Sequence, residues 1–253
     1  VSGTVVGGVT GRPLAGVMAA DGSWPSAFVV LGLIGFAVAG ALWAWLPRER
    51  RRGRAEGRPA GSWRALLRHP QILATYAVGF CMLGTQVAMF TYVPFLLAAP
   101  PFSLSTAALG LIFLTYVVGA VVTPFAGRGI DVYGHRPLLV AALALCAAGS
   151  LLTLVPSLPV VAAGLSIFAT GVFCAQAVSN SHVAHHAAHD RAFAIGLYTS
   201  CYYIGGSVGG AVPAPLFAAG GWQACVAFIL AVELLMLAIA WRYWNTETSN
   251  LEV

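Results

Sequence analysis

Two ionisable side chains stand inside long apolar runs, and both are placed to do chemistry. Arg12 lies about eight residues, or roughly 12 Å, from the nearer end of its run, too deep for easy snorkelling to water. A charge so placed is expensive and points to a cavity, a partner or an anionic ligand. Glu233 lies near the middle of the last apolar run, where a carboxyl group can take up and release protons or serve as a structural acid. Neutral polar and aromatic groups accompany them: Gln86 and Tyr92, Gln176 and Asn180, then Tyr198, Tyr202 and Tyr203. Tyrosine combines an apolar body with a hydroxyl, which suits the wall of a cavity for varied organic molecules. Each of these residues is equally suited to an interhelical hydrogen bond or an interface anchor.

The elements that hold these groups follow from composition. The chain is 59% hydrophobic and 8% charged, against roughly a quarter charged in a soluble domain. So little charge cannot wet the surface of 253 residues, and lipid is the solvent that fits. All thirteen basic residues are Arg, and eight fall between Arg48 and Arg68. The rest of the chain offers no basic face to track a phosphate backbone, which excludes a nucleic-acid partner. Cys81, Cys146, Cys174, Cys201 and Cys225 all sit in apolar runs and read as small buried thiols, not a disulfide framework.

Eight runs are long enough to span a bilayer as helices: about 3–20, 25–46, 70–97, 104–126, 137–155, 159–181, 192–217 and 222–244. β-Barrel strands would be about half as long and alternate in polarity. The loops at 47–69, 127–136 and 182–191, with the C-terminal end, contain twelve Arg, while the opposite loops carry only Asp21. That asymmetry puts the arginine side in the cytoplasm. The segment 47–69 is charged and Gly-rich through Gly61 and reads as a linker. Two helices precede it and six follow, an arrangement that makes better sense as the remnant of six plus six.

After the second helix of the six-helix block comes Gly127-Arg128-Gly129-Ile130-Asp131-Val132-Tyr133-Gly134-His135-Arg136. It resembles the loop signature G-x-x-x-D-[RK]-x-G-R-[RK] of the major facilitator superfamily, with Val132 and His135 in place of basic residues. The resemblance implies an all-α membrane fold in which the eight spans are helices five to twelve of twelve. Residues 1–46 would be the last two helices of the N-terminal half, 47–69 the cytoplasmic linker, 70–246 the C-terminal half and 247–253 a tail. The first four helices would then be missing. Gly127, Arg128, Asp131, Gly134 and Arg136 would form a gate, since a charge clip at helix ends can lock one conformation and release in another. Gly11-Arg12, Pro100 to Ser105 and Leu197 to Ser207 look like the bacterial efflux branch described as arabinose-efflux-permease-like. The Gly/Pro-rich run around Arg12 is similar to the fifth-helix motif of family exporters, which implies a role for Arg12 in substrate or proton coupling. The resemblance weighs against such a role for Glu233, because the family's twelfth helix stands outside the cavity. Gly205 with Gly209, and Gly206 with Gly210, form two overlapped G-x-x-x-G faces for packing.

His182, His185, His186 and His189 fall near one helical face. H-x-x-H-H is also the iron-binding box of membrane desaturases, but those enzymes need several boxes, and only His69 and His135 remain here. A polar cap at the cytoplasmic mouth is the simpler reading. The family resemblance therefore implies a secondary transporter in a bacterial inner membrane, exporting a small organic molecule in exchange for protons by alternating access. A proton-coupled importer of sugar or metabolite is the alternative, and a metal-dependent membrane enzyme using the histidines is a distant one. No G-x-x-x-x-G-K-[ST] loop occurs, so no nucleotide or other cofactor is expected. The expected partners are the lipid bilayer, the substrate, protons and the missing N-terminal helices.

Overall fold

The computed structural model describes residues 11, 18, 24–45, 69–187 and 191–244. Helices account for nearly all of them, in the order α1 (Trp24–Trp45), α2 (Pro70–Ala98), α3 (Thr106–Leu111), a 3₁₀ turn (Ile112–Leu114), α4 (Thr115–Tyr133), α5 (His135–Leu152), α6 (Leu158–His186), α7 (Arg191–Ala211) and α8 (Pro213–Tyr243). No strand occurs among the described residues. The five segments Pro25–Trp45, Pro70–Ala98, His135–Leu152, Leu158–His186 and Pro213–Tyr243 are each long and apolar enough to cross a membrane. The expected first span, with Arg12, lies outside the described residues apart from Gly11 and Met18, as does most of the linker.

Prolines begin three of the helices, where a missing N–H costs nothing: Pro70 in α2, Pro159 in α6 and Pro213 in α8. Ser105 caps α3 by accepting from the Ala108 N–H. α2 and α6 form the centre of the bundle. α2 packs on α6, α7 and α8, while α6 also packs on α4, α5 and α7. An aromatic cluster joins α2, α4 and α6: Phe90 meets Tyr116 edge-on at 4.4 Å, and Tyr116 meets Phe173 at 5.5 Å. α1 by contrast exposes Phe28, Phe36 and Trp43, as a helix bathed in lipid or covered by further helices would.

Two seams of small residues let backbones touch. On α7, a Cβ at Gly205 would collide with the Phe80 carbonyl of α2, and one at Gly209 with the Gly84 carbonyl. The first of the two G-x-x-x-G faces is therefore where the backbones of α2 and α7 touch. Gly206 and Gly210, on the second face, lie against the side chains of Leu83 and Val87, also of α2. The α5–α6 seam is close as well, though less so: a Cβ at Gly164 would lie 2.8 Å from the Gly149 carbonyl, and one at Gly171 2.6 Å from that of Ala142.

Several boundaries differ from the sequence reading: α6 runs on to His186, into the loop expected over 182–191, and the span expected over 104–126 is divided among α3, the 3₁₀ turn and α4. The run expected to break near 218–221 breaks instead at Val212, and α8 continues from Pro213 to Tyr243 with a kink at Gly221. Glycine makes this tolerable, because φ there is 61°. The segment expected as a loop over 127–136 is almost wholly helical. α4 runs to Tyr133, a single residue turns the chain, and α5 starts at His135. That residue is Gly134, with φ 80° and ψ 171°, a conformation open essentially to glycine alone. Its N–H closes the last turn on the Ile130 carbonyl at 2.9 Å.

Candidate functional site

A polar cavity of about 460 Å³ opens between α6 and α7. Gln176 and Asn180 project into it from α6, one turn apart, followed by Ser181. Along α7 the lining residues are Arg191, Ile195, Tyr198, Thr199, Tyr202 and Tyr203, again at one-turn spacing. Five residues singled out from sequence, Gln176, Asn180, Tyr198, Tyr202 and Tyr203, are thus gathered at one place. Gln86 of α2 joins from behind, accepting a hydrogen bond from the Tyr202 hydroxyl at 3.4 Å. The tyrosines form a tier: Tyr198 and Tyr202 stack at 6.0 Å, and Tyr203 meets Tyr202 edge-on at 5.7 Å. Tyr198 and Tyr202 are buried while Tyr203 is exposed, so the tier runs from the packed bundle to the cavity's open side.

Local sequence explains the arrangement. Gly79 of α2 abuts the Tyr198 ring, and any larger residue would displace it. Tyr76, also on α2, donates to the Ala194 carbonyl at 3.0 Å and fixes the start of α7. Arg191 and Thr199 line the same cavity but were not singled out from sequence. The signal that could have found them is helical spacing: Thr199 is one turn from Tyr202 and Tyr203, and Arg191 two turns from Tyr198.

The remaining candidates lie elsewhere. Tyr92 donates to the Gly210 carbonyl at 2.8 Å and packs among Phe95 and Phe217, tying α2 to α7 and α8. Glu233 is buried in a separate, apolar pocket of about 270 Å³ between α5 and α8. Arg12 lies outside the described residues. Of the signature residues, Gly127, Arg128 and Asp131 are exposed at the end of α4. Arg136 lies over the Trp241 ring of α8 at 4.0 Å, joining α5 to α8.

The histidines form a second polar site at the arginine-bearing end of the bundle. His182, His185 and His186 end α6; His135 starts α5 and His69 precedes α2. His182 sits 4.1 Å from His186 and 5.4 Å from His135, centroid to centroid, and His69 lies 6.0 Å from His186. The buried His182 Nδ1 is 2.9 Å from the Thr75 hydroxyl, and His135 Nε2 is 3.1 Å from that of Ser181. In sequence His69 and His135 stand apart from this group, whereas the fold brings them into it. Among the described residues, no three His, Cys, Asp or Glu side chains are arranged to hold a metal ion. His189 lies outside those residues.

A bundle of long apolar helices, with a polar cavity between two of them, defines a multi-pass membrane protein. The chain belongs to the Major Facilitator Superfamily, whose family model matches residues 1–210 and again 97–252. The curated relatives it matches are named as transporters. It is 31% identical over 240 residues to the MFS-type transporter YybF of Bacillus subtilis, covering 94% of this chain and 59% of that protein. It is 30% identical over 245 residues to the inner membrane transport protein YnfM of Escherichia coli, covering 96% of this chain and again 59% of the relative. A transporter of Buchnera aphidicola is 27% identical over 243 residues, with 95% and 59% covered. The chain therefore spans about three-fifths of the length of these curated relatives.

Proposed function

We propose that this chain forms the larger part of a secondary active transporter of a bacterial inner membrane, exporting a small organic molecule in exchange for protons. The α6–α7 cavity is its share of the substrate path, and that cavity is the observation that carries the reading. Two carboxamides, three phenols and one guanidinium converge there in a chain that is 59% hydrophobic. Buried polar groups in a membrane are costly unless they meet partners, water or solute. Amides and phenols serve an organic molecule by hydrogen bonding and by ring contact.

Residues 70–246 act as one half of the transporter and rock against the half to which 1–46 belongs, with 47–69 as the joining segment. The Gly127–Arg136 signature works as a gate at the cytoplasmic end. Its one-residue turn couples α4 to α5, and Arg136 couples α5 to α8. Arg12 and Glu233 are candidates for proton coupling.

The test is reconstitution of the protein in liposomes with an imposed pH gradient and a panel of aromatic amines, organic acids and sugars. Gradient-driven movement of one class, reduced by Tyr203→Ala or Gln176→Ala, supports the reading. Flux indifferent to the gradient removes proton coupling, and normal flux in both variants removes the cavity from the path. Movement of substrate and protons in the same direction identifies an importer instead. Unchanged transport in Arg12→Ala removes that residue from coupling.

A further inference from the structure

The α6–α7 cavity carries a charge that its tyrosines leave unexplained. Four arginines fall among the described residues, and of these only Arg191 lines the cavity. Arg128 is exposed near the end of α4, Arg136 lies over the Trp241 ring, and Arg242 lies 5.5 Å from the centre of the Tyr243 ring. An arginine that only marked the arginine-bearing end of the bundle could face water or lipid on any side. Arg191 instead starts α7 on the face that carries Tyr198 and Tyr202, seven and eleven residues further on. It is exposed, so its guanidinium is open to a solute.

The cavity is therefore polarised along its length. One end holds the guanidinium and the other the phenols, with Tyr202 about 16 Å along the helix axis from Arg191. α6 ends at His186 and α7 begins at Arg191, so the two run antiparallel. Asn180 consequently lies towards the guanidinium and Gln176 towards the phenols. No acid among the described residues offsets the positive end. Those residues include two carboxyl groups, Asp131 near the end of α4 and Glu233 between α5 and α8, and neither lines the cavity. Asp190, next to Arg191 in the chain, lies outside them. Ser181 at the cavity wall is bonded to His135 at 3.1 Å, so protonation of the adjoining histidine site adds positive charge. A cleft lined by one sign of charge between low-dielectric walls concentrates ions of the other sign.

We infer that the solute of the α6–α7 cavity is an aromatic organic anion, whose carboxylate pairs with the Arg191 guanidinium while its ring lies against Tyr202 and Tyr203. The inference rests on the proposed reading of this cavity as the solute path, and narrows a small organic molecule to one charge and one shape. A guanidinium gives a carboxylate two parallel N–H donors, a match that neither a sugar hydroxyl nor an ammonium can make. An ammonium would also be repelled by the same field. The phenol rings select an aromatic body over an aliphatic one. Because guanidinium and phenols occupy opposite ends of the cavity, acid and ring stand at opposite ends of the solute. Asn180 and Gln176 supply amide donors and acceptors between them.

The test uses the protein in nanodiscs and three probes that differ only in the end group: ω-phenylhexanoate, ω-phenylhexanamide and ω-phenylhexylamine. Binding is read by calorimetric titration. The anion is expected to bind about tenfold or more tightly than the amide, the scale of one charge-assisted pair, with the amine weakest. Arg191→Gln should lower the anion to the affinity of the amide and leave the amide unchanged. Arg191→Glu should reverse the order of anion and amine. Arg191 is exposed, so both variants should fold, which thermal unfolding checks. Tyr203→Ala should weaken all three probes alike, which ties them to the cavity. An amine that binds more tightly than the anion overturns the inference, as does an anion preference that survives Arg191→Gln or the failure of all three to bind. Amine-first binding that is weakened by Tyr203→Ala removes only the anion and keeps the cavity as a solute site. An anion preference lost in Arg191→Gln, with no gradient-driven flux of the anion in liposomes, upholds the anion site and removes the transport reading instead.

Discussion

The imidazole of His182 lies flat against the indole of Trp244, with ring centroids 3.9 Å apart and planes 3° from parallel. His182 is near the end of α6, and Trp244 is the first residue beyond α8. The stack closes the arginine-bearing end of the bundle. Thr75 of α2 holds the other side of the same ring through Nδ1, so one histidine joins three helices.

Trp244 is 1% exposed, and its indole N–H has no partner among the described residues. Its contribution is therefore packing and stacking, without a hydrogen bond to lose. Trp244→Ala should destabilise the bundle by about 3 kcal/mol or more, the usual cost of truncating a large buried aromatic. Trp244→Phe keeps a stacked ring and should cost roughly 1 kcal/mol. Unfolding in mild detergent, followed by tryptophan fluorescence or aggregation temperature, measures both. Equal losses in the two variants would show that a retained ring contributes nothing at this position.

The glycine seam between α2 and α7 predicts a sharp positional contrast. Gly205→Ala places a methyl against the Phe80 carbonyl, a backbone atom that cannot step aside as a side chain would. Separating the helices to make room should cost about 1–3 kcal/mol. Gly196→Ala, on the same helix, meets nothing within 4 Å and should be neutral or slightly stabilising. Thermal unfolding of the pair decides. A harmless Gly205→Ala would mean that α2 and α7 do not approach as closely as described.

How much of this was legible in the sequence depends on the range of the forces involved. The apolar runs were readable because crossing hydrocarbon imposes a length and a composition, and α2 and α5 begin and end within a few residues of expectation. The boundary between α7 and α8 was misplaced because Gly220-Gly221 looks like a break. In fact Gly221 absorbs a kink inside one helix, while Pro213 starts it. The cavity was partly legible, since Gln176, Asn180, Tyr198 and Tyr202 are polar groups in apolar runs. Nothing local distinguished them from Tyr92 or Glu233, which are equally polar but face other neighbours. The five-histidine site was hidden for the same reason. His69 and His135 stand far from His182 in the chain, and only packing of α2 and α5 on α6 brings them together.

At the turn between α4 and α5, the backbone itself makes the prediction. Gly134 has φ 80° and ψ 171°, and a Cβ there is strained whatever space surrounds it. Gly134→Ala should cost about 1–3 kcal/mol. Because His135 follows at once, the strain should also shift His135 away from Ser181 and Arg136 away from Trp241. If the turn acts as a gate, transport should fall by more than stability alone explains. Comparing initial flux per folded molecule in Gly134→Ala with that in Trp244→Phe separates the two effects, and equal flux would leave the turn a purely structural element.

Tyr203 offers the cleanest separation of transport from folding. Its ring is 56% exposed and lines the α6–α7 cavity, whereas Tyr202 beside it is 6% exposed and bonded to Gln86. Tyr203→Ala removes an exposed face, so stability should change by no more than about 0.5 kcal/mol. If the cavity carries solute, however, the apparent affinity for an aromatic substrate should weaken about tenfold, on the order of one lost ring contact. Tyr202→Phe should have the opposite profile, costing about 1 kcal/mol of stability through the lost hydrogen bond to Gln86. Flux measured against substrate concentration, alongside thermal unfolding of both variants, distinguishes them. Unaltered transport in Tyr203→Ala, with the protein fully folded, would show that solute passes on another face of α7.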